Sequence, residues 1–508
     1  MTVKTADHPA RASLSTASTA AVVALSTLCV LGTTSACGRE RPGTPPAEQS
    51  SRLRAADLRD AGGDPSAMCG PRGLPPDRHF VAEGHCARVV ANKQGEVRGI
   101  TFASNGDLIA VTTDGEIRRY RDVDHDGIFA PNAPETIVWA KTGGDNGHNC
   151  HLEGQDLYCG SKTGVKRWRY SPELDTGGPG EDVITSMPEG GRHPKHPVAV
   201  WDGFLYAVSG SADNSMSPMP ADYDTMRNVV RRFPLGKLTS GKAMAWKDGE
   251  IVVRGVRNVT AMARDPVSKR IIGVDNSMDD LAHGGVDIHQ DNPGEGVVAI
   301  EPGKKYGYPF CFFAQRIVEN GALIPPGTPL TSEVKHDTPI VKEIAKNIKS
   351  TRDDAWCQAN VDRPMSFLQA HSSALGMIFP APGATFALSD KWKRGAFIAL
   401  HGSWNRETST GFKVIWLPFD AAGNAPMPTS TKDTTTMPYE VVFAGGKYGA
   451  PRDGEWSWKL GNAGEDPVRP VGVAISPVDG ALYVASDNKG GPTSAKNGSI
   501  YRIALLGK

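Results

Sequence analysis

The stretch DLIAVTTDGEIRRYRD, Asp107 to Asp122, decides the fold once it is set beside DLYCGSKTGVKRWRY, Asp156 to Tyr170. Each opens with an apolar run, turns on a glycine in a short polar segment, and returns as an alternation of cationic and aromatic residues. That alternation is the period-two pattern of β-strands. The theme recurs in GFLYAVSGSADN from Gly203, KRIIGVDNSMDD from Lys269, GAFIALHGSWNR from Gly395 and GALYVASDNKGG from Gly480, and the last copy closes with GSIYRIALL from Gly498. One such unit cannot bury both faces of its sheet, so copies must stack on one another. Six copies predict an all-β chain folded as a six-bladed β-propeller. The long gap between the copies at Lys269 and Gly395 is expected to hold outer strands and sizeable loops. The repeated strands are expected to line the central channel, with the loops of one mouth converging on a shared pocket.

The rest of the composition agrees. Glycine (57) and proline (38) are plentiful in the 508 residues, and no long amphipathic helix pattern is present. Lysine plus arginine equals aspartate plus glutamate, so the formal charge is zero. That balance excludes nucleic acid as a main partner, because neutralising phosphates needs a basic excess.

The chain divides into three parts. Residues 1–37 read as a targeting segment: Lys4 and Arg11 precede an apolar run from Ala20 to Leu31, too short to span a bilayer, and Thr34-Ser35-Ala36 lead into Cys37. The segment resembles a bacterial lipoprotein signal, which implies an exported protein at the cell envelope, held to the membrane only by lipid on Cys37. An ordinary cleaved signal is the alternative. Residues 38–68, rich in Pro, Gly, Arg, Glu and Ser, read as a flexible linker. Residues 69–508 are the propeller. They hold Cys69, Cys86, Cys150, Cys159, Cys311 and Cys357, an even set that favours disulfides in an exported chain. Fifteen pairings are open to six cysteines. The sequence-neighbour set, 69–86, 150–159 and 311–357, is the expectation.

Five segments, in order, carry a family resemblance: GGRHPKHPVAVWDGFLYAVSGSADN from Gly190, RGVRNV from Arg254, HQDNPGEGVVAIEPGKKYGYP from His289, AHSSALGMIF with HGSWNR from Ala370 and His401, and VRPVGVAISPVDGALYVASDN from Val468. Together they resemble the soluble quinoprotein glucose and sorbosone dehydrogenases, six-bladed propellers that use pyrroloquinoline quinone (PQQ). The resemblance implies oxidation of a sugar or sugar aldehyde, with hydride passing to the quinone and electrons leaving to an external acceptor.

The implied site follows residue by residue. His193 is the general base, with His196 as its neighbour and competitor; histidine suits the role because its pKa lies near neutrality. Arg257 joins it as a catalytic residue and, with Asn258, binds the quinone. His401, Arg406, Lys413 and Arg469 are the further cofactor-binding candidates, since a cofactor with three carboxylates calls for fixed cations. Calcium is the implied metal, held by the backbone carbonyls of Gln290 and Asp291, the Glu295 carboxylate, and a water or carbonyl near Tyr306. Separately, DVDHDG places Asp122, Asp124 and Asp126 at the spacing of an EF-hand loop, although Ala133 stands where its distal glutamate belongs. That loop is a structural calcium candidate. Two other functions compete: a non-catalytic binding propeller at the cell surface, and a calcium-dependent lactonase.

Overall fold

A computed structural model describes Cys69, Gly73, Leu74 and residues 79–145, 147–214, 225–334, 352–445, 468–487 and 498–507. Strands dominate, and they form six sheets arranged as the blades of a propeller, antiparallel apart from a short outermost parallel pair in blades 2 and 3. The six repeated units each supply the second strand of a blade: Leu108–Thr112, Asp156–Gly160, Phe204–Ser209, Ile271–Asp275, Gly395–Leu400 and Leu482–Ser486 for blades 1 to 6. The first strand of each blade comes just before it: Val97–Phe102, Cys150–Glu153, Val198–Trp201, Val259–Arg264, Ala374–Ile378 and Pro470–Ile475.

Those first strands, and not the repeated units, surround the axis. They line a narrow axial cavity of about 70 Å³ that includes Gly99, Asn149, Val198, Thr260, Gly376 and Gly472. Crowding there explains why the innermost strands look so little alike in sequence. A Cβ on Gly376 would meet Val471 O at 2.2 Å, and one on Gly472 would meet Arg98 O at 2.5 Å. Glycine at these places lets neighbouring backbones touch, and the strands of blades 1, 4, 5 and 6 carry register shifts that weaken the alternating signal.

Apolar side chains on both faces of each sheet fill six cores, one at every junction of neighbouring blades. Blades 1 and 2 meet through Val111, Trp139, Leu157 and Trp168, and blades 5 and 6 through Phe397, Val414, Val484 and Ile503. The other four junctions repeat the arrangement. Burial of this kind is worth about 25 cal/mol per Å² of apolar surface, which makes the closed ring the natural end of the repeat.

The N-terminal segment closes the ring twice. His85–Ala91 is the outer strand of blade 6, paired antiparallel with Ser499–Leu505, and His79–Val81 adds the outer strand of blade 5 beside Glu440–Gly445. The disulfides Cys69–Cys86, Cys150–Cys159 and Cys311–Cys357 are those expected from sequence order. The long gap holds an excursion from blade 4: Cys311–Phe313 pairs with Pro329–Thr331, and the helix Asp354–Asn360 is tied to it through Cys357. Among the described residues no helix is long and apolar enough to cross a membrane. The targeting segment and the linker, including Cys37, lie outside the described residues.

Candidate active site

Antiparallel blades put the starts of first strands and the ends of second strands at the same mouth, and a cavity of about 500 Å³ opens there over blades 3, 4 and 5. His193 reaches it from the segment before blade 3. Arg257 and Asn258 enter just before the first strand of blade 4, and Asn276, Ser277 and Asp279 follow that blade's second strand. Glu295 begins the third strand, His371 and Ser373 precede blade 5, and Trp404 projects from the hairpin that follows Leu400.

Backbone bonds fix the reach of each side chain. The buried Asp275 carboxylate accepts from the amides of Arg257 (3.1 Å) and Asn258 (2.7 Å), which sets both side chains at the rim. The Arg257 guanidinium is buried; it donates to Asp279 Oδ2 at 2.7 Å, to Asn214 Oδ1 at 3.0 Å and to the Asn276 carbonyl at 3.1 Å. Its Nε has no partner among the described residues. Asp279 also faces His371 Nδ1 at 3.5 Å, and His371 Nε2 donates to the His289 carbonyl at 2.6 Å. Burial would raise the Asp279 carboxyl, yet the Arg257 charge and His371 together hold it below its ordinary range.

His193 Nδ1 lies 3.0 Å from the Ser211 carbonyl and 2.8 Å from the Ser211 hydroxyl. Burial, followed by the Arg257 charge, lowers its pKa to about 3. The imidazole is therefore neutral at neutral pH. Glu295 is buried with its oxygens on the amides of Ser277 (2.7 Å) and Ser373 (3.1 Å), and burial raises its pKa to about 7.

His193, Arg257, Asn258 and Glu295 are thus brought together from distant parts of the chain. The other candidates stand elsewhere. His196 is buried behind the rim, with Nδ1 on the Val208 carbonyl at 3.2 Å, so it does not line the cavity. Lys413 is wholly buried within blade 5, its Nζ 5.4 Å from the Tyr439 ring. Arg469 donates to the carbonyls of His401 (3.2 Å) and Gly402 (3.1 Å) and lies over the Phe412 ring. His401 Nε2 meets Asp487 Oδ1 at 2.9 Å. Arg406 donates to Asp291 Oδ1 at 3.1 Å, and Arg316 meets the other oxygen of that carboxylate at 3.2 Å. The polar residues of the Phe397–Phe419 hairpin therefore stitch it to its neighbours, while Trp404, 66% exposed, faces the cavity.

Of the expected calcium ligands, the Glu295 carboxylate lines the cavity, while the side chains at the other three positions are engaged elsewhere. Tyr306 is buried between blades 3 and 4 with its hydroxyl on the Ala299 carbonyl at 2.9 Å. Asp291 is ion-paired as above, and the Gln290 side chain accepts from the Glu407 amide at 3.0 Å. In the second candidate loop, carboxylate oxygens of Asp122, Asp124 and Glu135 lie within 4.8 Å of one another. Glu135 takes the place that Ala133 leaves vacant, but its oxygens already accept from the amides of Val123 (3.0 Å) and Ala130 (2.6 Å). Asp126 turns away to accept from the Ile128 amide at 2.8 Å.

Sequence reading passed over Asn276, Ser277, Asp279, His371 and Ser373. All five lie inside segments quoted for the fold or the resemblance, immediately after a repeated second strand or before the following first strand. Position relative to the mouth was the available signal.

Both guanidiniums at the rim carry carboxylate partners, since Arg192 meets Asp213 at 3.2 Å and Arg257 meets Asp279. What the site offers a ligand is a flat exposed indole, an unpartnered guanidinium N–H, the Asn258 amide and a neutral imidazole. A planar anionic quinone fits that set.

The TrAA12-like family model matches residues 79–492. A pyrroloquinoline quinone-dependent sugar dehydrogenase of Hypocrea jecorina is 24% identical over 423 residues, covering 81% of this chain and 87% of that protein. A pyrroloquinoline quinone-dependent pyranose dehydrogenase of Coprinopsis cinerea is 25% identical over 432 residues, and the match covers 81% of this chain but 53% of that protein, about half its length. Among solved structures, the holo PQQ domain of the Coprinopsis cinerea pyranose dehydrogenase superposes with a TM-score of 0.64 at 23% identity, covering 86% of this chain and 99% of that one. A calcium structure of the Trichoderma reesei family AA12 enzyme gives 0.63 at 22% identity, covering 84% and 97%. At these identities the structural likeness speaks for the fold.

Proposed function

The chain belongs to the TrAA12-like family, whose model spans most of its length, and on that premise we propose that it is a PQQ-dependent dehydrogenase of sugars or sugar aldehydes. One observation carries the reading: a buried neutral histidine and a buried arginine with a free N–H, distant in sequence, share one cavity whose rim bears an exposed tryptophan. When bound, the quinone supplies the hydride acceptor.

The chain's own residues do the rest. His193 takes the proton of the hydroxyl being oxidised, for which its neutral form is required. Asp279 sits near enough to favour the imidazolium that results. Arg257, held by Asp279, Asn214 and Asn276, offers Nε to an anionic or quinone oxygen without having to reorganise. Trp404 covers the cavity from the solvent side and presents a flat apolar face.

Because Arg192 and Arg257 are already neutralised by carboxylates, the lining carries no evident surplus of positive charge for a tricarboxylate cofactor. We therefore keep calcium as the companion cation. Glu295 is the member of the expected ligand set that reaches the cavity and would hold it. The chain contains no CxxCH haem-attachment motif, so electrons leave to a separate acceptor. Export with lipid on Cys37 completes the reading, supported by the small residues before that cysteine and tested by mass spectrometry of the mature N-terminus.

The functional test is a titration of purified protein with PQQ and calcium, followed by dye reduction across an aldose panel. Saturable PQQ binding with sugar-dependent dye reduction is expected. A protein that binds no PQQ in the presence of calcium is not a dehydrogenase, and the binding-propeller reading takes its place.

A further inference from the structure

We propose that Ser211 is the positioning residue that determines which nitrogen of His193 acts as the base, a role that rests on the dehydrogenase reading for its catalytic meaning. Ser211 follows the second strand of blade 3 and is wholly buried. Its carbonyl stands 3.0 Å from His193 Nδ1. A carbonyl oxygen only accepts, so the ring proton resides on Nδ1 and the lone pair on Nε2. With Nδ1 protonated, the Ser211 hydroxyl oxygen, 2.8 Å from the same nitrogen, is a second acceptor for that proton.

The strap that carries Ser211 is tightly held. Its amide donates to the Arg257 carbonyl at 2.9 Å, which joins the base and the arginine through one residue. A Cβ on the preceding Gly210 would stand 2.8 Å from the His193 Cβ and 3.0 Å from Asn258 Oδ1. Glycine is needed there because the strap passes directly against the two side chains it aligns.

The choice of a serine has an electrostatic consequence. The groups that face His193 are the Arg257 and Arg192 guanidiniums and the Asp279 carboxylate, while Arg192 is itself paired with Asp213. On its own segment Lys195 donates to the Gly147 carbonyl and His196 is turned to Val208. At Nδ1 itself the partner is neutral. A carboxylate at that position would favour the protonated ring, whereas a carbonyl and a hydroxyl fix the tautomer without that bias. Ser211 thus orients the base and keeps it ready to accept a proton.

The test is nitrogen NMR on ¹⁵N-histidine-labelled protein without cofactor, with the His193 signals assigned by their loss in His193→Gln. The expected result is the Nδ1–H tautomer at pH 7, in wild type and in Ser211→Ala, which keeps the carbonyl. Ser211→Asp should move the midpoint of His193 titration upward by about 1–3 pH units. In loaded enzyme the acid limb of kcat/KM should move the same way. An Nε2–H tautomer in wild type, or an unmoved midpoint in folded Ser211→Asp, overturns the proposal; loss of the Nδ1–H tautomer in Ser211→Ala would assign the control to the hydroxyl of Ser211 instead of its carbonyl. Should Ser211→Asp fail to fold, the tautomer in wild type and Ser211→Ala decides. Because the NMR needs no cofactor, a protein that binds no PQQ yet shows Nδ1–H loses the dehydrogenase reading and keeps the positioning.

Discussion

Lowering the pH from 7 to 5 should cost this propeller several kcal/mol of stability, and the buried histidines set the amount. Burial depresses His148 and His193 to about 3 and His151, His196 and His401 to about 4, from an ordinary 6.5. These groups are neutral in the folded chain down to their folded values, while the unfolded chain takes up protons once the pH falls below 6.5. Their contribution is therefore present above 6.5 and lost as the pH falls. At pH 5 each proton bound only by the unfolded chain is worth about 2 kcal/mol, so the five together remove about 10 kcal/mol. Two buried carboxyls act in the opposite sense: Asp275 is raised to about 6 and Glu295 to about 7, and protonation in the folded state favours it as the pH falls. They return about 3.5 kcal/mol between pH 7 and pH 5, leaving a net loss on the order of 6 kcal/mol against a typical total of about 5–15. The assay is urea unfolding followed by tryptophan fluorescence at the two pH values. His196→Leu provides the internal control: whatever its baseline, the difference between pH 7 and pH 5 should shrink by about 2 kcal/mol. Equal stability at both pH values, or an unchanged difference in His196→Leu, refutes the linkage.

Four substitutions extend the account. His193→Gln should lower turnover by about 10²–10⁴-fold with PQQ affinity largely kept, as measured by dye reduction and by cofactor titration. Arg257→Ala should weaken PQQ binding and also lower the unfolding midpoint, because it removes the arginine partner of the buried Asp279 carboxylate and leaves it His371 alone, at a cost of up to about 3–5 kcal/mol. Lys413→Met should leave PQQ affinity unchanged, since the ammonium lies inside blade 5 beside Tyr439 and not in the cavity; a tenfold loss in folded protein would contradict that placement. Replacing Cys311 and Cys357 together by serine opens a sequence separation of 46 residues and should cost about 4 kcal/mol in denaturant unfolding.

The ring was legible because its cause is periodic. The second strands, such as Leu482–Ser486, pack into the blade junctions and keep an uninterrupted apolar run. The first strands were hard to read because Gly99, Gly376 and Gly472 serve the close approach at the axis, and register shifts break their alternation. His193, Arg257, Asn258 and Glu295 stand out in the sequence by side-chain type and resemblance, and the fold brings them to one cavity. The charges of Lys413 and Arg469 make them candidates for a carboxylate-bearing cofactor, but charge does not say which way a side chain turns. Lys413 lies buried in its blade, and Arg469 holds the carbonyls at the base of the hairpin. Asp279 and His371 escaped notice for the converse reason. Their importance comes from contact with Arg257 and with each other across blades 4 and 5, which no local pattern records.

The central claim is that one cavity holds both the base and the cofactor. Its most direct test is anaerobic addition of a reactive aldose to PQQ-loaded protein, watching the absorbance of the bound quinone. Wild type is predicted to show reduction of one quinone per chain within a single turnover, and His193→Gln, equally loaded, to show it slowed by about 10²–10⁴-fold. Reduction at the same rate in both proteins would contradict the account.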